Sequence, residues 1–224
     1  DPGKLPLSLA AAIGFGVGGI LAGWVVYDLL CRSLLGRNDW ALFAVLFIYV
    51  VAVAWLFQQV FTGRGALVHT GAVLATIMSG NVAMLIIPNQ RKVVKALLAG
   101  DDPDPALGSS SKQRSTHINY LTLPVVFLML SNHDPLITDS AYAYLMVGLV
   151  LIAGAFIRHF FNERNAGRGQ PWWCFAAAAV AMAGIIALSI LGSPAAREQI
   201  SLAPLPPQAF AAAVAPPQEV VEIV

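Results

Sequence analysis

Six apolar stretches, each long enough to cross a lipid bilayer, alternate with short polar segments along this chain. They cover residues 5–30, 40–61, 65–87, 116–133, 141–157 and 172–192. A spanning helix needs about 20 apolar residues, because each residue advances about 1.5 Å and the hydrocarbon core is about 30 Å thick. The pattern therefore predicts an all-α fold, a polytopic membrane helix bundle with six transmembrane helices.

Basic residues are distributed very unevenly between the segments that connect these stretches. If successive segments lie on alternate sides of the membrane, ten basic residues lie on one side and three on the other. The ten are Arg32, Arg37, Arg91, Lys92, Lys95, Lys112, Arg114, Arg158, Arg164 and Arg168, and the three are Lys4, Arg64 and Arg197. Lysine and arginine collect in cytoplasmic loops. Both ends of the chain are therefore predicted to face away from the cytoplasm.

The composition excludes an ordinary soluble protein of this length. Of the 224 residues, 58% are hydrophobic and only 11% are charged, whereas soluble domains contain about 25% charged residues. The formal net charge is +1, and no basic patch alternates with aromatic residues. We therefore expect the lipid bilayer as a partner and no nucleic acid.

The chain divides into two regions of different composition. Residues 1–192 contain the predicted transmembrane domain, and residues 193–224 are rich in proline and alanine. Proline-rich segments form extended, semi-rigid linkers. Since the chain starts at Asp1 without a signal-peptide pattern, we interpret it as a segment of a longer protein. The linker is expected to lead to a further domain outside the cytoplasm.

Glycines in the first stretch are candidates for helix packing. Gly14 with Gly18, and Gly19 with Gly23, form two pairs with the four-residue spacing that lets helix backbones approach closely in lipid. The alternative is that membrane helices simply tolerate glycine.

The longest predicted cytoplasmic connection, residues 89–115, begins with a helical pattern of its own. Apolar Val93, Val94, Leu97 and Leu98 alternate with basic residues, and Gly100 then introduces a proline-containing acidic segment. This pattern predicts a short helix on the membrane surface, with basic side chains directed to anionic headgroups. Glycine and proline are expected to end it.

All four histidines, His69, His117, His133 and His159, lie within or at the ends of the apolar stretches. Ionisable groups at membrane depth are costly and usually functional. The predicted topology puts His69 and His133 near the outer face, and His117 and His159 near the cytoplasmic face. Two such pairs would suit axial ligation of haem b. Simple interfacial histidines are the alternative, and no metal other than haem iron is expected.

Polar residues near the cytoplasmic ends of the third and fourth stretches form a second candidate site. They are Asn89, Gln90, Arg91, Gln113, Arg114 and Asn119, with Asn81 deeper in the third stretch. Arginine and amide groups can bind a planar anion through paired hydrogen bonds. Hydrogen bonding between helices is the alternative, because buried amides need partners. Neither pattern identifies catalytic residues.

Several sequence blocks resemble one known family, the membrane domain of bacterial cytochrome-c-linked urate oxidases. The similarity extends from about residue 5 to residue 192, and its longest block is residues 112–124. The blocks are residues 23–33 (GWVVYDLLCRS), 86–92 (IIPNQRK), 102–105 (DPDP), 112–124 (KQRSTHINYLTLP), 131–133 (SNH) and 157–162 (IRHFFN).

The resemblance implies an inner-membrane enzyme that oxidises urate to 5-hydroxyisourate. It also implies a carboxy-terminal cytochrome c domain, or the respiratory chain, as the electron acceptor, and it makes both ends of this segment periplasmic. We expect the family's earliest helices and the haem c domain to lie outside this chain. Without its acceptor, the segment alone is expected to be inactive.

Two other function classes stay open at this point. Intramembrane histidines would also suit a non-catalytic cytochrome b subunit that relays electrons. Buried amides and a glycine-rich first stretch would also suit a transporter-like membrane module. A visible absorption spectrum distinguishes a haem protein from a transporter, and reduction by urate distinguishes an oxidase from a relay.

Overall fold

The computed structural model describes Leu5 and residues 7–192, which contain helices and no strand. The helices are α1 (Leu9–Arg32), α2 (Asp39–Val60), α3 (Gly63–Asn81), α4 (Ile87–Ala99), α5 (Pro105–Leu130), α6 (Pro135–Thr138), α7 (Ala143–Asn165) and α8 (Trp173–Gly192). A π-helix, Val82–Ile86, joins α3 to α4, and short 3₁₀ helices cover Leu34–Arg37 and Ser131–His133. The predicted all-α fold is confirmed. The linker, residues 193–224, lies outside the described residues.

Five helices in the described part of the chain are long and apolar enough to span a membrane, where six were predicted. They are α1, α2, the continuous helix Gly63–Ala99, α7 and α8, and they are consistent with a membrane protein. The remaining predicted stretch, the fourth along the chain (residues 116–133), falls in α5 and the 3₁₀ turn that follows it. The first half of α5 is polar, with Lys112, Gln113 and Arg114 in succession, so α5 does not reach the hydropathy of the other five.

Hydrogen bonds between distant segments define two ends of the bundle. At one end, Leu5 N donates to Gln59 O at 3.1 Å, and Gln58 Nε2 donates to Ser140 O at 3.0 Å. At the other, Gln113 Nε2 donates to Gly36 O at 2.7 Å. We call this second end the basic end, comprising residues 32–39, 89–115 and 158–173. Segment 89–115 thus lies beside Arg37, as the alternation of loops predicts.

Glycines on α1 allow it to pack closely on its neighbours. A β-carbon at Gly16 would lie 2.7 Å from Nε2 of His69, and one at Gly23 would lie 2.5 Å from Cγ1 of Val73. Gly19 similarly faces the Phe57 ring. The predicted use of glycine for packing holds for this face, but not for the pair Gly14 and Gly18, which face open space.

The surface helix predicted after residue 89 is part of a longer helix. Helix Gly63–Ala99 has 37 residues, about 55 Å of helix, which exceeds the thickness of a hydrocarbon core. Its α4 portion pairs with the start of α5, because Asn89 Nδ2 donates to Ser110 Oγ at 3.1 Å. Gly100, with φ of 81°, ends α4 in the left-handed conformation that glycine adopts readily.

The middle of the bundle is formed by α3, α5 and α7. Helix α3 packs against α1, α2 and α5, and α7 packs against α2, α5 and α8. Pro124 within α5 lies against Gly154 of α7, where a β-carbon would be 2.7 Å from the proline ring. Since α5 contacts both α3 and α7, polar residues on its two sides can reach opposite halves of the bundle.

Replacing Gly23 by leucine should destabilise the packing of α1 on α3. Overpacking costs about 1–3 kcal/mol, and the added side chain has to displace Val73. Gly18→Leu is the matched control, because no atom lies within 4 Å of its β-carbon position. Denaturant unfolding of each variant in detergent, followed by circular dichroism, measures the difference. Equal losses in the two variants would contradict the described packing.

Candidate functional site

A buried arginine on α5 connects three helices at the basic end. Arg114 Nη1 donates to Asn81 Oδ1 on α3 at 2.8 Å, and Nη2 donates to Asp28 Oδ1 on α1 at 2.9 Å. The side chain of Arg114 is only 3% exposed. A charge so far from water is tolerated only when it is paired and hydrogen-bonded. These contacts therefore fix the position of α5 relative to α1 and α3.

A tyrosine–histidine pair adjoins this arginine. Tyr27 on α1 is fully buried, and its hydroxyl is hydrogen-bonded to Nδ1 of His117 on α5 at 2.7 Å. The guanidinium carbon of Arg114 lies 5.0 Å from the centre of the Tyr27 ring, within the range of a cation–π interaction. Arg114 and His117 are three residues apart, so they share one face of α5.

Asn81 occupies an unusual position in its helix. It is the last residue of α3, directly before the π-helix Val82–Ile86, and such wide turns occur frequently at functional sites. Its amide oxygen accepts from Arg114, whereas its amide nitrogen has no hydrogen bond that meets normal distance and angle limits. One buried donor of the cluster is therefore incompletely satisfied within the described residues.

The charges of the cluster do not cancel. Asp28 accepts from Arg114 through one carboxylate oxygen and contacts Arg32 Nε through the other at 2.7 Å. Arg114 and Asp28 neutralise each other inside the bundle, and the remaining positive charge is that of Arg32, whose side chain is 67% exposed. The Asp28–Arg32 pair, four residues apart on α1, is the exposed side of a buried network. A net positive, partly buried polar site favours a small anion.

A second polar cluster lies on the opposite side of α5. Arg158 Nε donates to Asn119 Oδ1 at 3.0 Å, and the Tyr120 hydroxyl is hydrogen-bonded to His159 Nδ1 at 3.0 Å. The His159 ring also faces the Trp173 ring on α8, with 6.4 Å between their centres. Each of these contacts connects α7 to a neighbouring helix.

An exposed ion pair borders this second cluster. Arg168 forms a two-bond fork with Glu163 at 2.7 and 2.9 Å. That hydrogen bonding raises the pKa of Arg168, so the guanidinium stays charged. His159, Arg168 and Trp173 line an open groove here.

The predicted substrate residues are distributed over several places. Arg114 lies in the first cluster and Asn119 in the second, while Gln113 bonds Gly36 O and Asn89 bonds the start of α5. Gln90 and Arg91 lie on an exposed face of α4. Most of the predicted polar residues therefore form hydrogen bonds between helices. This agrees with the alternative interpretation, in which they serve packing between helices.

Three of the four histidines contact aromatic residues. His117 pairs with Tyr27 and His159 with Tyr120, while the His69 ring stacks on Phe61 with 4.2 Å between centres. His133 is exposed in its 3₁₀ turn, which packs against α3. No described hydrogen bond or ring contact joins one histidine to another. Haem ligation by these residues stays a prediction.

Sequence reasoning missed the centre of the first cluster. Neither Tyr27 nor Asp28 is among the candidate residues that the sequence indicates, although Asp28 is the only carboxylate within the first apolar stretch. A carboxylate inside a span predicts a basic partner on another helix. That signal could have linked Asp28 to Arg114, the basic residue nearest the fourth stretch.

Comparison with known proteins gives one match. The family model described as Urate oxidase N-terminal matches residues 1–189, which confirms the resemblance of the sequence blocks. No curated protein and no solved structure matches the chain.

Removing the buried guanidinium should cost far more stability than removing the exposed one. Arg114→Met leaves the buried Asn81 amide oxygen without its donor and Asp28 with Arg32 as its remaining partner, a loss of about 2 kcal/mol or more. Arg32→Met is the control: Arg32 is 67% exposed, and exposed pairs contribute about 1 kcal/mol or less. Free energies of unfolding in detergent compare the two.

A double variant tests whether the loss of charge pairing explains the destabilisation by Arg114→Met. Asp28→Leu combined with Arg114→Met removes both charges, and it should recover part of the stability lost by Arg114→Met alone. A double variant that is less stable than either single variant would show that the charge pairing is not what stabilises this region.

Proposed function

Because the match covers most of its length, the chain belongs to the urate oxidase N-terminal family, and we propose that it is the membrane domain of an enzyme that oxidises urate. The product is 5-hydroxyisourate, and the electrons pass to a cytochrome c domain or to the respiratory chain. The observation that carries the proposal is the family match over residues 1–189, and the guanidinium and amide groups of Arg114, Arg32 and Asn81 are of the kind that bind a planar anion.

The chemistry of the reaction matches the groups of this cluster. Urate plus one water gives 5-hydroxyisourate, two protons and two electrons, so the site has to bind an anion and remove protons. In our proposal the Arg114 guanidinium and the Asn81 amide orient the planar substrate through hydrogen bonds. His117 is the proton acceptor in this proposal. It is hydrogen-bonded to the Tyr27 hydroxyl, and packing holds its ring in place.

Haem b is part of the proposal for the membrane domain, and haem c for the following domain. His69 has the protonation that a ligand needs, because Nδ1 bonds the Gly65 carbonyl at 2.7 Å and must carry the proton. Its Nε2 lies against Gly16 on α1, so a porphyrin on His69 requires α1 and α3 to be further apart. Nδ1 of His117 and of His159 bonds a tyrosine hydroxyl, so Nε2 of either ring could bind iron only when Nδ1 carries the proton, a state in which His117 does not accept a proton from Tyr27. The haem would supply one-electron acceptance.

Urate-dependent reduction tests the function directly. We expect membranes that contain this domain together with its cytochrome c domain to reduce haem when urate is added, and the domain alone to be inactive. A haem spectrum that urate leaves unchanged would favour an electron relay, and the absence of any haem spectrum from the whole protein would favour a transporter-like module.

Tyr27→Phe should lower kcat in that assay while leaving KM nearly unchanged. The variant removes only the hydroxyl that bonds His117, and positioned proton transfer contributes about 10²-fold or more. Tyr49→Phe on α2 is the matched control, since it removes a half-buried hydroxyl away from the cluster. Equal kcat values for the two variants would contradict a role of Tyr27 in proton transfer.

We also propose a bacterial inner-membrane location with both ends of this segment periplasmic. The ten-to-three distribution of basic residues supports it. Single cysteines at Asn38 and Asp139, in a background without Cys31 and Cys174, should differ in labelling by an impermeant maleimide. Label added to intact spheroplasts should reach position 139 and not position 38, and the reverse pattern would invert the topology.

A further inference from the structure

One face of α4 is exposed and combines apolar with basic residues. Ile87, Gln90, Arg91, Val94, Lys95 and Leu98 line an open groove of about 500 Å³ along it. Successive members of this set are separated alternately by three residues and by one, a pattern that keeps them on a single side of the helix. The opposite side of α4 faces α5, to which Asn89 is hydrogen-bonded.

Apolar residues of α4 are exposed beside its basic residues. Val94 is 51% exposed, Leu97 is 60% exposed and Leu98 is 84% exposed. A cluster of accessible aliphatic side chains beside lysine and arginine marks an interaction surface. The same combination is typical of helices that lie at a membrane interface.

The charges on α4 are separated from the nearest acids. Arg91, Lys92 and Lys95 are exposed, and the ion pairs found in the described residues do not involve them. Asp101, Asp102 and Asp104 follow only after α4 has ended at Gly100. The exposed face itself is therefore positive, and an anionic partner complements it.

The length of the continuous helix sets the depth of this face. From Gly63 to the end of the π-helix at Ile86, the helix extends about 36 Å, slightly more than a hydrocarbon core. Helix α4 therefore starts close to the level of the lipid headgroups. Arg91 and Lys95, one turn apart, come within reach of phosphate groups in that leaflet.

We propose that this face of α4 binds an anionic phospholipid. Arg91 and Lys95 contact the phosphate, with Lys92 adding charge, while Ile87, Val94 and Leu98 contact the glycerol backbone and the upper acyl chain. A lipid suits the surface because it presents an anion and aliphatic groups next to one another at this depth. The site is separate from the Arg114 cluster and does not depend on urate oxidation.

The test compares lipids that differ only in headgroup charge. Purified protein in neutral detergent is titrated with phosphatidylglycerol or with phosphatidylcholine of the same acyl chains, and bound lipid is measured by native mass spectrometry. We expect preferential binding of phosphatidylglycerol. Three neutral substitutions, Arg91→Gln, Lys92→Gln and Lys95→Gln together, should reduce that preference by about 100-fold, since each basic residue near a lipid surface contributes about a factor of five.

A matched triple variant controls for net charge. Arg37→Gln, Lys112→Gln and Arg164→Gln remove three exposed charges from the same end of the bundle and should leave the preference nearly intact. A second variant, Val94→Ser with Leu98→Ser, should weaken binding of both lipids. Equal losses in the two triple variants, or equal binding of both lipids by the unmodified protein, would overturn the proposal.

Free sn-glycerol 3-phosphate distinguishes a lipid site from a soluble phosphate site. It should not displace phosphatidylglycerol at the same concentration, because it lacks the aliphatic part. Displacement at equal concentration would refute a lipid site. So would dimerisation of the protein through the α4 face in place of lipid binding.

Discussion

The ion pair between Arg114 and Asp28 is the interaction on which the arrangement of the bundle depends. A guanidinium at this depth has no water to solvate it, so the helices that carry its partners must stay in place. The Arg114 side chain joins α1, α3 and α5 at one depth, because it donates both to Asp28 on α1 and to Asn81 on α3. The tight glycine contacts of α1 allow this geometry, since bulkier residues would hold α1 away from α3.

Helix α5 differs from the other long helices because it carries polar residues that bond helices on both of its sides. Its residues Arg114 and His117 bond α1 and α3, while Asn119 and Tyr120 bond α7. These polar groups lower the hydropathy of the helix, and for that reason it stands apart from the five strongly apolar ones. Polar residues are tolerated on the faces of α5 that meet α1, α3 and α7, because side chains of those helices satisfy their hydrogen bonds.

The sequence was sufficient for the features that depend on local pattern. Apolar length predicted the helices, loop charge predicted which segments share an end, and Gly100 predicted where α4 stops. The partners of polar residues were not predictable in the same way. Local spacing links Asp28 only to Arg32, four residues away, whereas Arg114 is 86 residues away and is brought to Asp28 by the tertiary arrangement of α1, α3 and α5. His117 was grouped with His159 by depth, yet depth does not tell which side of α5 each one faces.

The π-helix between α3 and α4 has a geometric consequence for the two asparagines that flank it. Asn81 and Asn89 both bond α5, although they are eight residues apart. In a regular α-helix, eight residues turn about 800°, which would leave the second asparagine about 80° away from the direction of the first. The wider π turns rotate less per residue and so remove much of that excess. One irregular segment thus keeps a 37-residue helix in phase with α5 on both sides of it.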